Sequence, residues 1–78
     1  MTKASKNFEK NRTIILEEVG NFCRNIRINK LKLSQRKIAH IFEVEQATIS
    51  KFERGLLDSV SLYMMYLSLL SGEQLWQN

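Results

Sequence analysis

Apolar residues along the chain recur every three to four positions, the period of one buried helix face. Ile15, Val19, Phe22 with Cys23, and Ile26 make the first such stripe, widened by Ile14 and Leu16. This spacing predicts a helix with Asn11 or Thr13 as its N-cap. Gly20 lies inside it, where glycine costs about 1 kcal/mol against alanine. It marks either a close helix approach or a break into two helices. The basic stretch Ile28 to Lys32 predicts the end of this helix and a turn. A second short helix is expected from the N-cap Ser34, with Ile38, Ala39, Ile41 and Phe42 as its apolar face. After a brief connection at Glu43 to Glu45, a third helix turns Ala47, Ile49 and Phe52 partly inward and stops at Gly55. Asp58 or Ser59 caps a fourth helix through about Leu70. Ser71 and Gly72 end it, and Glu73 to Asn78 form a tail or a last turn. No strand-like alternation or internal repeat interrupts the pattern. The expected fold is all-α, a compact bundle of four to five short helices. Residues 1–7 are expected as a flexible basic arm and 8–78 as a single domain.

Composition supports this picture. The 78 residues include no proline and three glycines, with 44% hydrophobic and 26% charged. A chain this short builds a marginal core, so packing must be efficient or a partner must help. Its apolar run from Val60 to Leu70 is well short of the roughly 20 residues of a membrane span. The polar N-terminus lacks a signal-peptide core, and the expected location is the cytoplasm. Cys23, the single cysteine, reads as a small buried residue, with redox sensing as the alternative. His40 has no triad or metal partners within the helical pattern, and the Tyr63 to Tyr66 cluster reads as core. No nucleophile–base pair, carboxylate dyad or phosphate loop is present, so neither catalysis nor a cofactor or metal is expected. The net charge of +4 is unevenly spread: residues 1–37 hold ten Lys/Arg and three Asp/Glu, a net of +7, and the remainder carries −3. A polyanion partner would therefore be attracted mainly by the first half.

Two short helices joined by about three residues, the second closed by glycine, outline a helix-turn-helix. The run Leu33-Ser34-Gln35, Ile38-Ala39, Val44, Thr48-Ile49-Ser50 and Phe52-Glu53-Arg54-Gly55 sharpens it. Over residues 33–55 this pattern resembles the xenobiotic-response-element family of helix-turn-helix proteins, which includes phage repressors and Cro proteins. The resemblance implies a lambda-repressor-like DNA-binding domain. Leu33, Ile38, Val44, Ile49 and Phe52 would form the wedge between the two helices, and Ala39 would be small where they cross. Glu53 would be held by an arginine of the first helix; Arg24 and Arg27 are the candidates, Arg27 the preferred one. The spacing from that arginine to Leu33-Ser34-Gln35 is one residue longer than the family's usual one. Glu43 stands where the family places a turn glycine, Glu45 where it has a Ser or Thr cap, and Leu56-Leu57-Asp58 where its loop is polar or basic.

The implied function is sequence-specific binding of duplex DNA, in a transcriptional regulator of phage, plasmid or bacterial origin. The helix at about 45–54 would lie in the major groove. Gln46, Ala47, Ser50 and Lys51 are the candidates for base edges, since glutamine pairs with adenine, lysine with guanine, and a methyl with thymine. Gln35, Arg24, Arg27, Arg36, Lys37, Thr48 and Arg54 are the candidates for phosphate. Leu56, Leu57, Leu75 and Trp76 are hard to bury in so small a chain and are expected at an interface, most simply of a homodimer. A dimer would span a roughly palindromic operator with recognition helices about 34 Å apart. The alternative is a protein-interaction module on the same fold, such as an antirepressor or antitoxin, suggested by Glu43, Glu45, Asp58 and the apolar Leu56-Leu57.

Overall fold

The computed structural model describes residues 3–72, which form four α-helices in one core, with no strand among them. Helix α1 runs Lys3–Asn25 and passes directly into a π-helical segment, Ile26–Leu31. Helices α2, α3 and α4 span Gln35–Phe42, Gln46–Glu53 and Val60–Ser71. Among the described residues, no helix is long and apolar enough to cross a membrane.

Local chemistry sets most of these boundaries. The Ser34 hydroxyl accepts from the Lys37 backbone N–H at 3.0 Å, satisfying one of the free donors at the start of α2. Ser59 does the same for α4 through Leu62 N–H at 3.1 Å. Asp58, the other expected cap, is instead paired with Arg12 of α1 at 2.8 Å. Helix α2 ends because Glu43 enters the left-handed region at φ 58°, while Val44 N–H returns to the Ala39 carbonyl. Glu45 precedes α3 without any side-chain cap.

The start of α1 differs from expectation. It begins at Lys3, well before Asn11 and Thr13, so the segment expected as an arm is helical from that residue onward. Its buried stripe is also rotated. Gly20 and Cys23, continued by Ile26 and Arg27 of the π-helical segment, face the core, with Leu16 and Val19 half-buried. Ile15 and Phe22, expected inside, are 56% and 49% exposed. Periodicity alone did not locate the centre of the buried face, because the apolar arc of α1 is wider than the surface its neighbours cover.

The core contains Cys23, Ile38, Ala39, Phe42, Ile49, Phe52, Leu62 and Tyr66. The Tyr66 ring is its hub, set edge-on to Phe42 at 5.4 Å and stacked on Phe52 at 5.6 Å. Gly20 is a point of close approach and not a break. A Cβ there would lie 2.5 Å from the Phe52 carbonyl oxygen, so α1 and the end of α3 meet backbone to backbone. Gly55, at φ 78°, is likewise pressed on the Glu17 backbone of α1.

Candidate nucleic-acid interface

The floor of the candidate site is a buried carboxylate. Glu53, in the last turn of α3, is 5% exposed and accepts four hydrogen bonds. Arg27 supplies two of them, Nε to Oε2 at 2.7 Å and Nη2 to Oε1 at 3.0 Å. Gln35 Nε2 donates to Oε1 at 3.1 Å, and the Tyr66 hydroxyl donates to Oε2 at 2.7 Å. Arg27 Nη1 completes the set by donating to the Leu33 carbonyl at 2.9 Å. One carboxylate thus joins the π-helical segment, α2, α3 and α4. Among the described residues, every buried side-chain polar atom has a partner.

Burial opposes ionisation of Glu53, but the hydrogen bonds from Arg27, Tyr66 and Gln35 outweigh it and hold the carboxyl below its usual range. The hydrogen bond to Glu53 raises the Arg27 guanidinium, with burial opposing. Burial and then Glu53 push the Tyr66 hydroxyl up. For the same two reasons the Cys23 thiol is pushed up to about 12, which leaves it a protonated, fully buried packing group.

The π-helical segment carries the chain from Arg27 toward Leu33. A π turn holds one more residue than an α turn. Leu33 N–H closes onto the Arg27 carbonyl at 3.0 Å, and Lys32 turns the chain at φ 55°. The turn is wider than an α turn, and from it Arg27 faces Glu53. Its expected contact with phosphate is therefore corrected: Arg27 is buried and committed to the carboxylate. Of the two candidate arginines, it is the one that holds Glu53.

Above this floor lies an open groove of about 310 Å³, lined by Asn21, Arg24, Gln35, Ser50, Glu53 and Arg54. It gathers four of the expected contact residues, Arg24, Gln35, Ser50 and Arg54, from three helices and the residue that closes α3. Arg24 is exposed in the last turn of α1. Arg54 is exposed and leans back along α3, its Nε donating to the Ser50 carbonyl at 3.3 Å. Gln35 is half-buried, and with one amide proton given to Glu53 it keeps only the other for a ligand. Asn21 joins the groove unannounced by the sequence, because its place depends on how α1 crosses α3.

Gln46, Ala47 and Lys51 are exposed on α3, and Thr48 and Ser50 are half-buried at its edge. Ala47, expected partly inward, points outward. Arg36 and Lys37 are exposed in the first turn of α2, next to Gln35. Of the structural positions, Ala39, Ile49, Glu53 and Gly55 are buried and Val44 is half-buried. Leu57 packs partly on the core, whereas Leu56 is 65% exposed. Leu75 and Trp76 lie outside the described residues. Among those residues, no group of three His, Cys, Asp or Glu could hold a metal ion.

Comparison with protein-family models, curated proteins and solved structures finds no match for this chain.

Proposed function

We propose that α2, the connection through Glu45, and α3 act as a helix-turn-helix, and that the chain is a sequence-specific duplex-DNA-binding regulator of transcription. The observation that carries this reading is the groove formed by Arg24, Gln35, Ser50 and Arg54 beside the exposed α3 face of Gln46, Ala47 and Lys51. Helix α3 has eight residues. An α-helix with its side chains is about 10–12 Å across, which the major groove of B-DNA, about 12 Å wide, admits. Gln46 presents an amide able to bond adenine twice, and Lys51 a cation for guanine. Arg24, Arg54, Arg36 and Lys37 supply phosphate attraction at the flanks, while Glu53 and Arg27 hold the groove rigid from below.

The test is binding to duplexes selected from a random pool, followed by salt titration. Four phosphate contacts give a slope of log K against log salt of about −3.6. Arg24→Ala weakens all duplexes alike and removes about one unit of slope, whereas Gln46→Ala relaxes sequence preference at a cost of about 1–3 kcal/mol. Failure of the folded chain to bind any duplex at low salt overturns the reading. It would favour a protein-interaction module, which is supported by the exposed Leu56 and the exposed carboxylates Glu43 and Glu45.

A further inference from the structure

On another side of α1 from Arg24, α1 and α4 share an apolar face. It presents Phe8 (63% exposed), Ile15 (56%) and Phe22 (49%) of α1 and Val60 (68%) of α4. Ile15, Val19, Val60 and Tyr63 line one shallow groove in it, and Phe22 and Tyr63 approach ring to ring at 6.5 Å. The exposed Arg12–Asp58 pair also links α1 to the approach to α4 beside this face. These side chains leave on the order of 400 Å² of apolar surface in water, within the range of about 300–600 Å² for a monomer's largest patch. A standard interface takes about 800 Å² from each partner, and half-buried Leu16, Val19 and Tyr63 with the exposed rim of Asn7, Asn11 and Glu18 extend the face toward that size.

The order of the residues selects the occupant. Phe8, Ile15 and Phe22 stand seven apart, and seven residues of helix rise about 10.5 Å and drift only about 20° around the axis. The stripe reads Phe-Ile-Phe in either direction. A two-fold axis through Ile15 would therefore seat Phe8 on Phe22 of a second copy and Phe22 on its Phe8, a self-complementary contact. Asn11 would lie within one residue, about 1.5 Å, of the level of Glu18 of the second copy, an amide near a carboxylate. Arg24 is two residues beyond Phe22, about 200° further round α1, so this pairing leaves the cationic groove open.

We propose that two copies of this chain pair through the α1–α4 face, with their α1 helices antiparallel about Ile15. The DNA reading leads one to expect two copies, but this surface rests on its own residues and differs from the Leu56 and C-terminal positions expected from the sequence. In sedimentation at about 100 µM, where a micromolar dimer is nearly complete, the wild-type chain should have the mass of two copies. Ile15→Glu should weaken association at least tenfold, with unchanged helicity because the position is more than half exposed. Under mild oxidation, Ile15→Cys should link to itself. Phe8→Cys should not, but should link to Phe22→Cys when the two variants are mixed; buried Cys23 leaves the wild-type chain as the unlinked control. A single-copy mass for the wild-type chain, or self-linking of Phe8→Cys as fast as that of Ile15→Cys, overturns the proposal. A monomer that binds duplex would defeat this surface and leave the DNA reading standing. A dimer through Ile15 that binds no duplex would do the reverse.

Discussion

The two ends of α1 carry similar apolar patterns and meet different fates. Toward its C-terminus, Gly20 and Cys23, followed by Ile26 and Arg27 of the π-helical segment, are buried against α3, α4 and the Glu53 network, while Phe22 on another face stays about half exposed. Toward its N-terminus, Phe8, Ile14 and Ile15 remain exposed. The difference is not one of helix propensity, since one unbroken helix contains both. It depends on what lies opposite: among the described residues, the other helices cover mainly the C-terminal part of α1. An apolar stripe thus shows where burial is available, and its neighbours decide whether burial happens within the chain.

Substitutions at the buried end should therefore be costly and those at the exposed end cheap. The largest effect is expected at Glu53. Glu53→Ala strands the Arg27 charge and should cost about 3–5 kcal/mol in urea unfolding, enough to unfold a domain of this size. The pH dependence has a matching sign. Glu53 ionises more readily folded than unfolded, so its contribution is complete above its ordinary pKa of 4.5 and is lost as pH falls through the lower folded value. Tyr66 and Cys23 are raised acids, so their contributions hold below their ordinary values of 10.0 and 9.0 and are lost as pH climbs past them. A stability profile that is level below pH 4.5, or that rises between pH 9 and 11, would contradict the network.

Gly20→Ala comes next. Its Cβ would collide with the Phe52 and Glu53 carbonyls, so despite better helix propensity it should destabilise by about 1–3 kcal/mol, read from the urea midpoint. A smaller change of opposite sign is expected at Glu43. With φ at 58°, Glu43→Gly should relieve strain and stabilise by up to about 1 kcal/mol in the same assay. The smallest effect belongs to Ile15→Gln, measured in dilute solution where the chain is a single copy. It should shift stability by no more than about 0.5 kcal/mol, and a loss above 2 kcal/mol would erase the contrast between the two ends of α1.

Much of the fold was legible because it is written in local chemistry. Ser34 and Ser59 cap helices through their own hydroxyls, Gly55 adopts the positive φ that glycine allows, and Ile38, Ala39, Ile49 and Phe52 fall inward at helical spacing. The candidate site was only partly legible. Arg27 was expected both beside Glu53 and on phosphate, and composition cannot choose between a buried and an exposed arginine. Tyr66, thirteen residues beyond Glu53, carried no signal that its hydroxyl would reach the same carboxylate. The π-helical turn at Ile26–Leu31 carried no signal of its own in the residues, which read only as a basic helix end and turn.

By itself, then, the sequence determined the order of the helices and most of their ends, because caps, glycines and apolar spacing act over three or four residues. It also set the excess of positive charge in the first half and the small, polar surface of α3. Tertiary structure decided which face of α1 is buried, which arginine is given up to Glu53, and which cations remain beside α3. Those outcomes depend on how far apart four helices come to rest. Burial and the strength of a charge pair are properties of that arrangement and not of any residue alone.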